Sequence, residues 1–437
     1  MDVSLGYKRT ELGIIPDDWN VQSLEKSTDP LRPISYGIVQ TGPNLIDGVA
    51  CLRVVDVNNG RIGKTDLIRT SKKISNSYQR TVLKAGDLVM PLRGKVGDVG
   101  AVDKELEGAN LTRGVALLAI RQGMSGEFCR QFISWSTTRR RLEQSMNGSA
   151  LQEIPIAALR AFQVAFPKSD IEQRAIAVAL GDVDALLDGL DRLVAKKRDL
   201  KQAAMQQLLT GQTRIPGFLT RWAPSTLASV IADFEAGVSV NSVGGAGSSA
   251  TSEAGILKTS CVANGRFDST EYKLIDPREV SRAKLSIKRD TIIVSRMNTP
   301  NLVGEVGYVE KDYPNLFLPD RLWMTRLKTD VEICTKWLAY VLSSTSIKRS
   351  IQELATGTSG TMKNISKRKL LELELSFPRR DEQTAIATVL SDIDAELIAL
   401  GTRHTKTRTL KQAMMQELLT GKTRLVPPAK QPEHSMP

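Results

Sequence analysis

The chain is written twice. Residues 172–214 read EQRAIAVALGDVDALLDGLDRLVAKKRDLKQAAMQQLLTGQTR and residues 382–424 read EQTAIATVLSDIDAELIALGTRHTKTRTLKQAMMQELLTGKTR, with about 25 of 43 aligned positions identical. Each copy follows a Phe-Pro pair, Phe166-Pro167 and Phe377-Pro378, whose proline keeps the preceding segment from running on as helix. Fainter echoes extend the repeat outward with slipping register. Trp19 and Leu24 match Trp222 and Leu227, and Asn59-Gly60-Arg61 matches Asn264-Gly265-Arg266. DLVMPLR at 87–93 aligns with DTIIVSR at 290–296, setting Arg93 against Arg296, and Val99-Gly100 aligns with Val306-Gly307. The order is therefore globular stretch (1–165), repeated helix (166–215), globular stretch (216–376), repeated helix (377–425) and a Pro-rich tail (426–437) expected to be disordered.

The repeated segments carry the heptad seam of a coiled coil. In the first copy Ile176, Leu180, Val183, Leu187, Leu190 and Val194 alternate in steps of four and three; in the second Ile386, Leu390, Ile393, Leu397 and Leu400 do so until His404 and Thr407 interrupt with polar groups. A helix of roughly 40 residues reaches about 60 Å, and Gly181, Gly189 and Gly401 are the places where it is expected to bend or shorten. Each copy is acidic early (Asp182, Asp184, Asp188; Asp392, Asp394, Glu396) and basic late (Lys196, Lys197, Arg198, Lys201; Arg403, Lys406, Arg408, Lys411). Only antiparallel pairing sets each acidic end beside the other helix's basic end. Such a pair has a two-fold axis across it and carries the globular stretches at opposite ends.

Within the globular stretches, β-branched runs such as LVMPL and TIIVS alternate with Gly and Asn turn signals, and helical patches are expected at 127–146, lined by Phe128, Phe132, Trp135 and Leu142, and at 334–354. The predicted fold class is α+β: two mixed α/β domains separated by an antiparallel two-helix coiled coil, pseudo-two-fold symmetric. No run approaches the roughly 18 apolar residues of a membrane span, the N-terminus lacks an apolar signal core, and Cys51, Cys129, Cys261 and Cys334 are too scattered for a zinc site or disulfide framework, so a reducing cytoplasm is the expected setting. The net charge of +12 favours a polyanionic partner. The helical segments 166–215 and 377–424 hold net charges of +1 and +2 and the tail none, which leaves +9 on the globular stretches, the parts expected to face phosphate.

Two variable stretches, each followed by a helix that opens on EQ-A-I-A-L-D-D and closes on L-K-Q-A-M-Q-L-L-T-G-T-R, resemble the specificity subunits of type I restriction-modification systems, and the resemblance spans essentially the whole chain. Residues 34–40 (ISYGIVQ) look like the early loop of that family's target-recognition domains, and 87–99 like its Gly-Asp, Arg-Gly and Val-Gly pattern. The second half departs: 241–250 is a Gly/Ser loop without a Tyr-Gly motif, and Met297-Asn298 stands where Gly94-Lys95 stands in the first. The resemblance implies a non-catalytic scaffold that reads one half of an asymmetric bipartite double-stranded DNA site with each domain. It also implies two methyltransferase subunits on the helices and restriction/translocase subunits beyond, with S-adenosylmethionine, ATP and Mg held by those partners and no cofactor in this chain. Half-sites about one helical turn apart, near 34 Å, leave an unread spacer of roughly 5 to 8 bp.

Base readout in the major groove needs forked or amide side chains on a rigid loop. The candidates are Tyr36, Gln40, Arg93, Lys95 and Arg113 in the first stretch and Asn241, Ser242, Arg296, Asn298 and Arg321 in the second. Catalytic patterns fail. No Asn or Asp precedes Pro-Pro and an aromatic as an amino-methyltransferase requires, and Asn298-Thr299-Pro300-Asn301 is the nearest approach. Gly63-Lys64-Thr65 and Gly421-Lys422-Thr423 lack the earlier glycine of a P-loop, and Gly245-Ala246-Gly247 lacks the strand and helix of a dinucleotide fingerprint. Asp268 with Glu271-Tyr272-Lys273 is a cramped carboxylate cluster in one half only, and the two histidines, His404 and His434, lie in the second helix and the tail. The rival readings are a stand-alone DNA-modifying or cleaving enzyme with duplicated binding domains, and a transcription regulator with two tethered heads.

Overall fold

The apolar run at 88–91 becomes a strand with no exposed residue because both of its faces are covered. Side chains alternate across a strand: Leu88 and Met90, with Ala116 and Leu118 of the next strand, join a core with Trp19, Phe128 and Trp135, while Val89, Val115 and Leu117 turn to a second core with Leu52, Leu83 and Leu111. TIIVS does the same in the second half. Ile292 and Val294 pack with Phe234, Trp323 and Trp337, and Ile293 packs with Leu257, Val309 and Met324.

The computed structural model describes residues 5–148, 152–243, 254–357 and 362–426, so most of the tail and the Gly245-Ala246-Gly247 run lie outside the described residues. Helices and strands are mixed in two compact units, Met1–Asp191 with Thr402–Pro437, and Arg192–Gly401. The first holds a four-stranded antiparallel sheet in the order Gly100–Ala101, Leu88–Pro91, Val115–Leu118, Ser35–Tyr36, beside a three-stranded sheet built on Val49–Leu52. In the second, Ile231–Ala236, Leu322–Leu327, Thr291–Ser295 and Val306–Val309 are adjacent in a six-stranded sheet, beside a four-stranded one that contains Gly255–Leu257. The helical patches are each broken once, a correction to the single helices expected. Gly126–Ser134 and Ser136–Gln144 meet at Trp135, whose ψ of 137° is extended, and Thr335–Ser343 and Thr345–Glu353 meet at Ser344, with ψ 147°. The break lets Phe128, Phe132, Trp135 and Leu142 all stay buried on a chain that changes direction.

An antiparallel ribbon leads into each long helix: Trp19–Ser23 pairs with Gln163–Pro167, and Ala223–Thr226 with Glu374–Phe377. The helices, Asp170–Leu208 and Arg380–Leu418, run 39 residues each, about 58 Å at 1.5 Å per residue. Both continue unbroken through Gly181, Gly189 and Gly401, where a Cβ would meet nothing within 4 Å. In the first unit Glu172 bonds Arg424 (2.7 Å), Asp184 bonds Lys411 (2.6 Å) and Asp191 lies 3.3 Å from His404. In the second, Glu382 bonds Arg214 (2.6 Å), Asp394 bonds Lys201 (2.8 Å) and Glu396 bonds Lys197. As one partner's number rises the other's falls, so the helices are antiparallel within each unit. Ile176, Leu180, Leu190, Ile386 and Leu390 are buried and Val183, Leu187, Val194, Ile393, Leu397 and Leu400 half-buried, whereas Val178, Leu186, Leu193, Val389 and Ile398, off that line, are exposed.

Candidate nucleic-acid interface

In the first unit Tyr36 sits opposite Ala116 at the sheet edge, after which the chain crosses the Leu111 carbonyl so closely that a Cβ on Gly37 would lie 2.0 Å from its oxygen. Only glycine fits. Ile38 N donates to Leu111 O (2.7 Å) and Arg113 N to Ile38 O (2.8 Å), which ties the ascending loop to the start of the strand Val115–Leu118. Arg93 leaves the neighbouring strand at the same end: its guanidinium lies beside Gly114, its Nη1 is 4.0 Å from Glu153 Oε2, and its side chain is 43% exposed. Lys95 Nζ donates to Asn58 Oδ1 at 3.0 Å. Tyr36, Gln40 and Arg113 are exposed. The structure thus brings all the candidates of this half to within four residues of one sheet end.

The second unit is built likewise but presents other groups. Ala236-Gly237 takes the place of Tyr36-Gly37, with a Cβ on Gly237 only 1.6 Å from Leu318 O. Arg296, Asn298 and Arg321 collect at the matching sheet end: Arg296 N donates to Arg321 O at 3.1 Å, and Asn298 Nδ2 donates to Ser295 Oγ at 3.2 Å. Asn241 and Ser242 do not join them. Asn241 donates through its backbone N and its Nδ2 to the Glu279 carboxylate (3.1 and 3.3 Å), and Ser242 bridges to Ile275. Arg113 and Arg321 are both exposed and make no ion pair among the described residues.

The pairing of Arg93 with Arg296 in the sequence is one residue out. Leu92 N donates to Gly114 O and receives Ile154 N at its own carbonyl; Arg296 N donates to Arg321 O and receives Ile365 N in the same way. Arg296 therefore occupies the place of Leu92, and Met297, opposite Asn364, that of Arg93, opposite Glu153. A slip of one residue turns a side chain to the other face. Arg296 accordingly lies across Trp323, 5.7 Å from the ring centroid, with Nε buried and without an acceptor among the described residues.

The residues that hold this frame were visible as a repeated motif but not as chemistry. Gln173 accepts from Ser125 N (2.9 Å) and donates to Pro167 O (2.8 Å), and Gln383 repeats this with Cys334 N (2.8 Å) and Pro378 O (2.9 Å). One amide thereby joins the start of a globular helix to the Phe-Pro turn that begins a long one. Buried Glu172 receives the Arg424 guanidinium, which Asp18 also holds at 2.8 Å, and buried Glu382 receives Arg214 together with Trp222 Nε1 at 3.2 Å. Buried Asp98 accepts from Asn59 N (2.9 Å) and Arg139, and buried Glu305 from Asn264 N (2.8 Å) and Lys348; Asn59 and Asn264 adopt positive φ of 49° and 51°. Local hydrogen bonding lets Asn tolerate that conformation. These carboxylates explain why the Asn-Gly-Arg and Val-Gly echoes recur.

The cluster around Glu271 is tied up locally, Glu271 accepting from Ser260 Oγ at 2.6 Å beside Lys258 and Asp268 from Thr270. Among the described residues no group of three or more His, Cys, Asp or Glu side chains is placed to hold a metal ion, and no helix is long and apolar enough to cross a membrane. Burial pushes the Cys51 thiol up to about 11 and that of Cys129 to about 12.

The fold is similar to that of S subunits of type I restriction-modification systems. The chain aligns over 96% of its length with 98% of the S subunit from M. genitalium at a TM-score of 0.59 and 13% identity. It aligns over 94% with 99% of a chain from a type I R-M system studied for complex assembly and conformational transition, at 0.54 and 15%. Residues 267–408 match the model of the type I restriction modification DNA specificity domain. The chain is 26% identical over 204 residues to the EcoBI specificity subunit of Escherichia coli, covering 46% of this chain and 43% of that protein. It is 25% identical over 215 residues to the MjaVIII specificity subunit of Methanocaldococcus jannaschii, covering 48% and 49%. The matches thus span less than half the length of these curated relatives. The chain has the fold of the type I S subunits, and its similarity to their DNA specificity domain lies within residues 267–408.

Proposed function

We propose that this chain is the DNA-specificity subunit of a type I restriction-modification complex. Residues 1–165 and 216–376 act as target-recognition domains, each reading one half of an asymmetric bipartite site. Residues 166–215 and 377–425 act as spacer helices that set the gap and dock two methyltransferase subunits, with restriction/translocase subunits joining the assembly. Methyl transfer and cleavage, with their S-adenosylmethionine, ATP and Mg, belong to those partners.

The observation that carries this reading is the contrast between frame and rim. The frame is duplicated to the individual bond: Glu172 with Arg424 and Glu382 with Arg214, Asp184 with Lys411 and Asp394 with Lys201. The rim is not: Tyr36 and Arg93 in one unit stand against Ala236 and Met297 in the other. Equal mounts with unequal readers suit a protein that recognises two different sequences, because base-edge patterns demand different donors and acceptors while phosphate contacts do not. Arg93, Lys95, Arg113, Arg296 and Arg321 are assigned to guanine or phosphate, Gln40 and Asn298 to adenine, and Tyr36 to stacking or the backbone. Asn241 and Ser242 hold a loop beside the second rim.

The test is methyl transfer from S-adenosylmethionine to duplex DNA. The chain alone is expected to show none, and the chain with its methyltransferase subunits is expected to methylate one two-part sequence. Methylation by the purified chain alone would favour the stand-alone enzyme.

A further inference from the structure

Away from the rims, the structure repeats a three-way contact whose members come from three elements. In the first unit Asp184, on the first long helix, receives Gln131 Nε2 from the short globular helix at 2.7 Å, Arg130 Nη2 at 3.4 Å, and Lys411 Nζ from the second long helix at 2.6 Å. In the second unit Asp394 receives Tyr340 Oη at 2.8 Å and Lys201 Nζ at 2.8 Å. The carboxylates and lysines are repeat equivalents; the globular donor is an amide in one unit and a phenol in the other. The carboxylate side chains are only 28% and 20% exposed.

These contacts complete a two-point mount. The first point in each unit is Gln173 or Gln383, which fastens the beginning of the globular helix to the beginning of the long one. The carboxylate stands 11 residues further on, about 16 Å along the axis. One fastening leaves a pivot, whereas two fix an angle. Apolar packing of Ile176, Ala177 and Leu180 adds adhesion between the same parts, but it is non-directional. Charge-assisted hydrogen bonds are short and oriented. Among the described residues Arg61, on a globular turn, also pairs with Asp188 and Asp191 of this helix, but both pairs are exposed on both sides, and such pairs hold geometry weakly.

We infer that Asp184 and Asp394 are positioning residues that fix the angle of each recognition domain against the helix pair, and through it the spacer length the protein accepts. The inference rests on the bipartite-reader function proposed above. The experiment uses the full chain with its methyltransferase subunits and measures methylation of a duplex library with randomised half-sites and spacers of roughly 4 to 10 bp. Wild type should select one two-part motif with one spacer length. Asp394→Asn and Tyr340→Phe should each lower the preference for that spacer over its one-base-pair neighbours by about tenfold or more, the worth of one hydrogen bond to a charged group, with the half-site bases unchanged. Tyr340→Phe removes only the globular side of the contact and leaves Asp394 with Lys201, so it tests the angle even where Asp394→Asn disturbs folding. A wild type that reads a two-part site beside a Tyr340→Phe complex whose spacer preference stays within twofold overturns the inference alone. A wild type that selects no two-part site overturns the proposed function and the inference with it.

Discussion

Glu382 and Glu172 are 1% exposed, and a buried carboxylate is tolerable only while its cation stays in place. Arg214→Ala should therefore cost about 3 to 5 kcal/mol in urea unfolding of the second unit, whereas Arg61→Ala, which breaks an exposed pair, should cost at most about 1 kcal/mol. Equal costs would mean that the buried pair is no clamp. Asp184 gives a pH test. Burial alone would raise its pKa, but the hydrogen bonds from Lys411 and Gln131, with the charges of Lys411 and Arg130, outweigh burial and hold it below the ordinary value. A carboxyl depressed in the folded state contributes stability that is present above its unfolded pKa, about 3.9, and lost as pH falls through the folded value. The Asp184→Asn chain should thus lose less stability than wild type between about pH 5 and pH 2; parallel losses would contradict the assignment. At this scale the sequence revealed which residues repeat, but not their partners. Glu172 and Arg424 lie 252 positions apart, and no local pattern joins residues at that separation.

Elements were legible where periodicity is strict. The heptad spacing of the long helices and their charge polarity required antiparallel pairing, and the ion pairs inside each unit run that way. The glycines in those helices were expected to bend or shorten them, yet both helices continue unbroken, because each glycine costs only about 1 kcal/mol against the apolar packing and ion pairs of the helices. Strand register was less legible. A strand buried on both faces has apolar residues at every position, so nothing in DLVMPLR or DTIIVSR marks which residue faces which core, and the alignment slipped by one. The break at Trp135 was hidden for a similar reason, since Phe128, Phe132, Trp135 and Leu142 also fit one continuous helical face. If the long helices set the gap, four residues inserted at 208–211 should change the preferred spacer and leave both half-sites unaltered, as read by methylation of spacer variants. Altered half-site bases would contradict that role.

At the scale of the whole molecule, duplication and charge favour the proposed adaptor over the rival enzyme and regulator without excluding either. A frame whose buried ion pairs repeat, a basic excess outside the helices and two unlike rims suit an adaptor that brings catalysis to a sequence it reads in two pieces. The measurement that bears most directly on this is a map of methylated bases across the host genome, with and without this chain. Removing the chain should abolish N6-methyladenine at one asymmetric two-part motif and leave other methylated sites untouched. An unchanged map, or loss from a single continuous motif, would contradict the account.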